Sequence, residues 1–93
     1  MSRKDTRKSI VVVPDGPTWN LLRAHPSRSM SDAIRRLVAG VDWMAVTPAE
    51  PGQGAKLSVQ LPQTDAAALG LASEQRGISR SRLLLGALRR AVR

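Results

Sequence analysis

The sequence predicts a mostly α domain with a single two-stranded antiparallel β-ribbon, built from a strand-helix-helix unit that occurs twice in one chain. Three observations predict it. Two short stretches rich in β-branched or alternating apolar residues, SIVVVP (9–14) and LSVQLP (57–62), each end in proline. Each is followed by two segments of helical periodicity. The apolar stripes of the second helices also superpose: Ala33, Ile34, Leu37, Val38 and Val41 fall on Leu83, Leu84, Ala87, Leu88 and Ala91 at an offset of 50. The units divide the chain into a basic flexible arm (1–7), a first repeat (8–44), a Pro/Gly linker (45–55) and a second repeat (56–93), the two repeats forming one compact domain.

The arm, MSRKDTR, is basic and polar; it reads equally as a solubilising tail and as an arm that touches DNA. Setting Pro14 on Pro62 pairs Val11 with Val59, Val13 with Leu61 and Leu21 with Leu69, an offset of 48. The first helix opens at DGPTW, with Asp15 as cap and Pro17 tolerated in the first turn. Pro26 ends it, leaving His25 partly exposed in its last turn. SMSDAIRRLVAGV (29–41) starts a second helix, with Ser29 and Asp32 at capping-box spacing. The change of offset from 48 to 50 implies that the first unit is two residues shorter between its helices.

TPAEPGQGA (47–55) has two prolines, two glycines and no periodicity, so it reads as a linker. At ~3.3 Å per extended residue it reaches roughly 30 Å, enough to set the second strand beside the first. KLSVQLP (56–62) alternates strictly, with Leu57, Val59 and Leu61 apolar, which marks a half-buried strand. QTDAAALGLASEQRG (63–77) forms a helix with Thr64 as cap and Gly77 as stop, weakened by Gly70 at ~1 kcal/mol relative to alanine. ISRSRLLLGALRRAVR (78–93) restarts with Ser79 as cap and an apolar stripe of Leu83, Leu84, Ala87, Leu88, Ala91 and Val92.

Composition narrows the function. Fifteen Lys and Arg against 7 Asp and Glu give a net charge of +8 and a pI near 11.7, which points to a polyanionic partner. With no cysteine and His25 as the one histidine, neither a zinc cluster nor a histidine-based triad is available, so no enzyme activity, metal or cofactor is expected. No apolar run approaches the ~20 residues of a membrane span, and no secretory signal opens the chain, so the expected location is cytoplasmic, on the nucleoid or a plasmid. Trp19 and Trp43 are the only aromatic residues, and both are expected in a core or lid role. Readers of single strands display more stacking rings, so double-stranded DNA is the expected partner.

The second half resembles the ribbon-helix-helix superfamily of DNA-binding proteins, of the Arc and MetJ type. Its pattern is a strand ending in Leu61-Pro62, then Gly77 fifteen residues further on, then Ile78, Ser79 and Ser81 opening the next helix. In the first half Pro14 and SMSDAIRRL match, the glycine is absent and the strand is unusual. A single unit of this size buries too little apolar area, and a lone strand has no ladder partner. The resemblance therefore implies paired units, here an intramolecular pseudo-dimer similar to the TraY-type and VirC2-type proteins of DNA transfer.

It also implies that the polar strand positions read bases in the major groove, which admits such a ribbon. Those positions are Lys56, Ser58 and Gln60 in the second half, with Lys8, Ile10 and Val12 as the first-half equivalents. Ile10 and Val12 depart from the pattern, and three explanations stand: asymmetric recognition of a non-palindromic site, which is favoured; a one-residue register shift that turns the other face outward; or a first strand covered by another protein. Phosphates are expected at the start of each unit's second helix, on Arg28, Ser29, Met30 and Ser31 and on Ser79, Arg80 and Ser81, with Arg82 adding charge. LRRAVR at the end is either a solvated face or a contact to flanking DNA or a neighbouring copy.

The expected function is sequence-specific duplex binding as a transcriptional regulator, a repressor of plasmid or mobile-element genes, with further copies of itself as potential neighbours on DNA. Two alternatives are an accessory factor of conjugative transfer or plasmid partition and an antitoxin. The antitoxin is disfavoured because no toxin-binding extension follows the last helix.

Overall fold

The computed structural model describes residues 9–27 and 29–91; the basic arm, Lys8, Arg28, Val92 and Arg93 lie outside the described residues, as does the side chain of Ser31. The elements run β1 (Ile10–Val12), α1 (Gly16–Ala24), α2 (Met30–Leu37), β2 (Leu57–Val59), α3 (Gln63–Arg76) and α4 (Arg80–Arg90). The two strands form one antiparallel ribbon in which Ile10 faces Val59, Val11 faces Ser58 and Val12 faces Leu57.

Local chemistry sets most of the boundaries. The Asp15 side chain accepts from the Thr18 N–H at 3.0 Å to cap α1, and Pro17 sits in the first turn, where its missing N–H costs nothing. At the other end His25 is extended, with ψ at 130°, because the ring of Pro26 disfavours a helical predecessor. The Ser29 and Ser79 hydroxyls cap α2 and α4 by accepting from Asp32 and Arg82 N–H groups. Gly77 closes α3 at a φ of 66°, the left-handed region where a β-carbon is penalised. Thr64 is not the cap expected for α3: Pro62 holds that position without a side-chain hydrogen bond, and Thr64 lies inside the first turn.

The core joins both halves. Ile34 from α2 and Val38 at its C-cap, Leu69 from α3, and Leu83, Leu84 and Leu88 from α4 are fully buried together with Val12 and Val59 of the ribbon. Each such side chain contributes about 1.5–3 kcal/mol relative to exposure. Neither half could assemble this set alone. Trp43 is buried at 4% exposure, as a core role requires, whereas Trp19 is half-buried with the Arg23 guanidinium 5.3 Å from its ring centre.

The caps correct the alignment of the halves. Asp15 and Pro62 are the N-caps of α1 and α3, 47 residues apart, and at that offset buried Leu22 falls on buried Leu69 and buried Pro14 on buried Leu61. The caps Ser29 and Ser79 remain 50 apart. The halves do not differ by a shortening between their helices: α1 has 9 residues against 14 in α3, while the connection to the next helix is longer in the first half (25–29) than in the second (77–79). At the 47-residue offset Leu22 rather than Leu21 falls on Leu69.

The connection between the halves is packed rather than free. Val46 and Ala49 are buried, and the Arg76 guanidinium donates to the carbonyls of Trp43 and Val46 at 2.9 and 2.7 Å. Ala49 N–H donates to the Arg82 carbonyl at 3.1 Å, and Gly52 N–H to that of Val13 at 2.6 Å. The strap crosses α4 at Gly86, where a β-carbon would collide with the Thr47 carbonyl oxygen.

Candidate nucleic-acid interface

Residues directly opposite in an antiparallel ladder share a face. On the inner face of the ribbon lie Ile10, Val12 and Val59, at 8, 2 and 0% exposure, with half-buried Leu57. On the outer face Val11 is 47% exposed and stands opposite exposed Ser58. Lys56 and Gln60, both exposed, extend that face along the second strand, and Ser9 and Val13 extend it along the first.

This arrangement brings together Lys56, Ser58 and Gln60 and corrects the first strand. Ile10 and Val12 do not face outward: they point into the core, and Val11 takes the outer place. The reason is the 47-residue offset. An alignment on the prolines puts every first-strand residue on the wrong face, because side chains alternate with a period of two. Of the three explanations for the apolar first strand, the register shift is the one that the burial of Ile10 and Val12 matches. No signal in the sequence marks Val11 as the outward residue, because the IVVV run does not alternate and Pro62 caps α3 without a side-chain hydrogen bond. Lys8 lies outside the described residues.

The first turn of α4 abuts the same face. Ser79, Arg80 and Ser81 border, with Ser9 and Val11, an open depression of about 360 Å³. The Ser81 hydroxyl donates to the Val11 carbonyl at 2.6 Å, fixing the strand against the helix start. The Arg80 guanidinium lies over Gly70, 3.3 Å from where a β-carbon would sit, so that glycine makes room for it. Arg82 is turned aside to Glu50 at 2.8 Å. As the first residues of α4, Arg80 and Ser81 present N–H groups without an intrahelical acceptor at the positive end of the helix dipole.

The start of α2 is less open. Met30 is half-buried against the core, so its side chain does not reach outward and only its backbone N–H is available to an anion. Asp32 pairs with Arg36 at 2.9 Å and with Arg35 at 3.8 Å, which places negative charge in that first turn. Ser29 is exposed, Arg28 lies outside the described residues, and of Ser31 only the backbone is described.

No helix among the described residues is long and apolar enough to cross a membrane, and no group of three or more potential metal-ligating His, Cys, Asp or Glu side chains occurs among them. No family model, curated protein or solved structure matches this chain.

Proposed function

We propose that this chain is a ribbon-helix-helix protein whose two units pair within one molecule, and that it binds duplex DNA sequence-specifically as a transcriptional regulator. The observation that carries the proposal is the outward face of the two-stranded ribbon. Lys56, Ser58 and Gln60 stand exposed on it beside the start of α4, in a chain of net charge +8. A ribbon of this kind fits the major groove, where lysine donates to guanine O6 or N7 and glutamine pairs with adenine. The unpaired N–H groups of Arg80 and Ser81 suit phosphates on the flanking backbone.

The test is binding to duplexes enriched by the purified protein from genomic fragments, followed by a reporter driven from the enriched site. Affinity falls steeply with salt, because phosphate contacts release counterions. The Lys56→Ala, Gln60→Ala double variant loses more affinity for the enriched duplex than for random duplex. Equal losses on both would rule out strand readout, and a salt-insensitive complex would contradict the phosphate contacts.

A further inference from the structure

The outward face of the ribbon is chemically unequal along its length. The register puts Lys56 at the same end as Val13 and Gln60 at the same end as Ser9, with Val11 opposite Ser58 at the centre. One end carries an ammonium beside an isopropyl group, and the other a carboxamide beside a hydroxyl. Two identical chains paired about a two-fold axis would present the same groups at both ends and two like residues at the centre. Here the centre pairs an apolar side chain with a polar one.

Val11 is held in its outward position. Its carbonyl accepts the Ser81 hydroxyl, and its neighbours Ile10 and Val12 are anchored in the core on the opposite face. It is one of three large apolar side chains strongly exposed among the described residues, with Met44 and Leu71. In the major groove the apolar feature available to such a side chain is the thymine C5-methyl group.

We infer that the protein binds a non-palindromic duplex site in one fixed orientation, with Val11 packing on a thymine methyl near the middle of the site and Lys56 and Gln60 reading different bases at its two ends. The inference rests on the proposed DNA-binding function and adds the polarity of the site and a specificity residue on the first strand.

The experiment starts from a random duplex pool enriched on the intact protein. The consensus is asymmetric. Since the chain has no cysteine, Ala55→Cys next to Lys56 gives a unique attachment point for an iron-chelate cleavage reagent, which cuts one flank of the consensus site and not the other. Replacing each thymine of the site in turn by deoxyuracil removes one methyl group. At one central position this weakens the unsubstituted protein by about fourfold, the value of one buried methyl, and leaves Val11→Ser unaffected. A palindromic consensus cut equally on both flanks overturns fixed orientation. Deoxyuracil sensitivity that is absent throughout, or unchanged in a folded Val11→Ser, overturns the valine contact. Each of those results leaves DNA binding intact; failure of the pool to enrich at all overturns the DNA-binding function itself and this inference with it.

Discussion

The Ser81 hydroxyl donates to the Val11 carbonyl across 2.6 Å, joining the first turn of α4 to the outward-facing residue of β1. The contact spans residues seventy positions apart and ties the exposed face of the ribbon to the start of α4. Its position is exposed to water, so its net worth is modest. Ser81→Ala is expected to lower stability by about 1 kcal/mol, a fall in Tm of roughly 4–8 °C for a domain of this size. Ser81→Thr, which keeps the hydroxyl, recovers most of it. Thermal melts followed by circular dichroism check both, and an unchanged Tm in Ser81→Ala would remove this contact from the account.

Gly86 is the crossing point of the strap over α4. A methyl group there would meet the Thr47 carbonyl oxygen, a backbone atom that cannot rotate away. Gly86→Ala raises intrinsic helix propensity by about 1 kcal/mol yet is expected to destabilise the fold, since overpacking costs about 1–3 kcal/mol and the strap must lift. Lifting it strains the Ala49 to Arg82 hydrogen bond and the two Arg76 contacts. The Gly86→Ala melt therefore lies below that of the natural chain, and faster amide exchange at Ala49 localises the damage. A higher Tm would mean that the strap yields freely.

The contrast between Val11 and Gly86 shows where the sequence was legible. Periodicity and cap residues located the helices because those signals are local: Asp15, Ser29, Ser79 and Gly77 satisfy or terminate a helix with groups only a few positions away. Strand facing is different, because a run of β-branched residues such as IVVV contains no alternation to say which side is wet. Proline was a poor anchor for the comparison, since Pro14 fills a core position that Leu61 fills in the other half, whereas Pro62 sits at a cap. The strap was illegible for a similar reason. Its hydrogen bonds reach Arg76, Arg82 and Val13, thirty or more residues away, and a Pro/Gly-rich stretch looks the same whether docked or free.

The Asp15 carboxyl is held below the usual carboxylate range. The largest influence is the buried Thr18 hydroxyl, although its heavy-atom geometry falls short of a full hydrogen bond; partial burial opposes it, and the Thr18 N–H and the Arg89 guanidinium at 3.4 Å act in the same direction as the hydroxyl. A carboxyl whose folded pKa is depressed adds stability above its unfolded value, near 3.9, and loses that contribution as pH falls through the folded value. Asp15→Asn keeps a good cap but has no charge to titrate. Its stability is thus expected to fall less steeply than that of the natural chain as pH is lowered below about 4, while Asp15→Ala costs about 1 kcal/mol of capping at neutral pH. Melts at successive pH values test this, and parallel acid limbs for the natural chain and Asp15→Asn would assign the loss to other carboxylates.

Pairing of β1 with β2 inside one chain has a consequence for how stability depends on concentration. The core draws Ile34 and Val38 from one half and Leu69, Leu83, Leu84 and Leu88 from the other, and the strap between the halves is itself packed onto α4. Ordering the two halves is therefore an intramolecular event. In a dimer of separate units, dissociation accompanies unfolding and Tm rises with protein concentration. Here Tm is expected to stay constant over a hundredfold dilution, and sedimentation at the lowest concentration should give a folded species of one chain mass. A Tm that climbs with concentration, together with a dimer mass and no folded monomer, would mean that the ribbon is completed between chains.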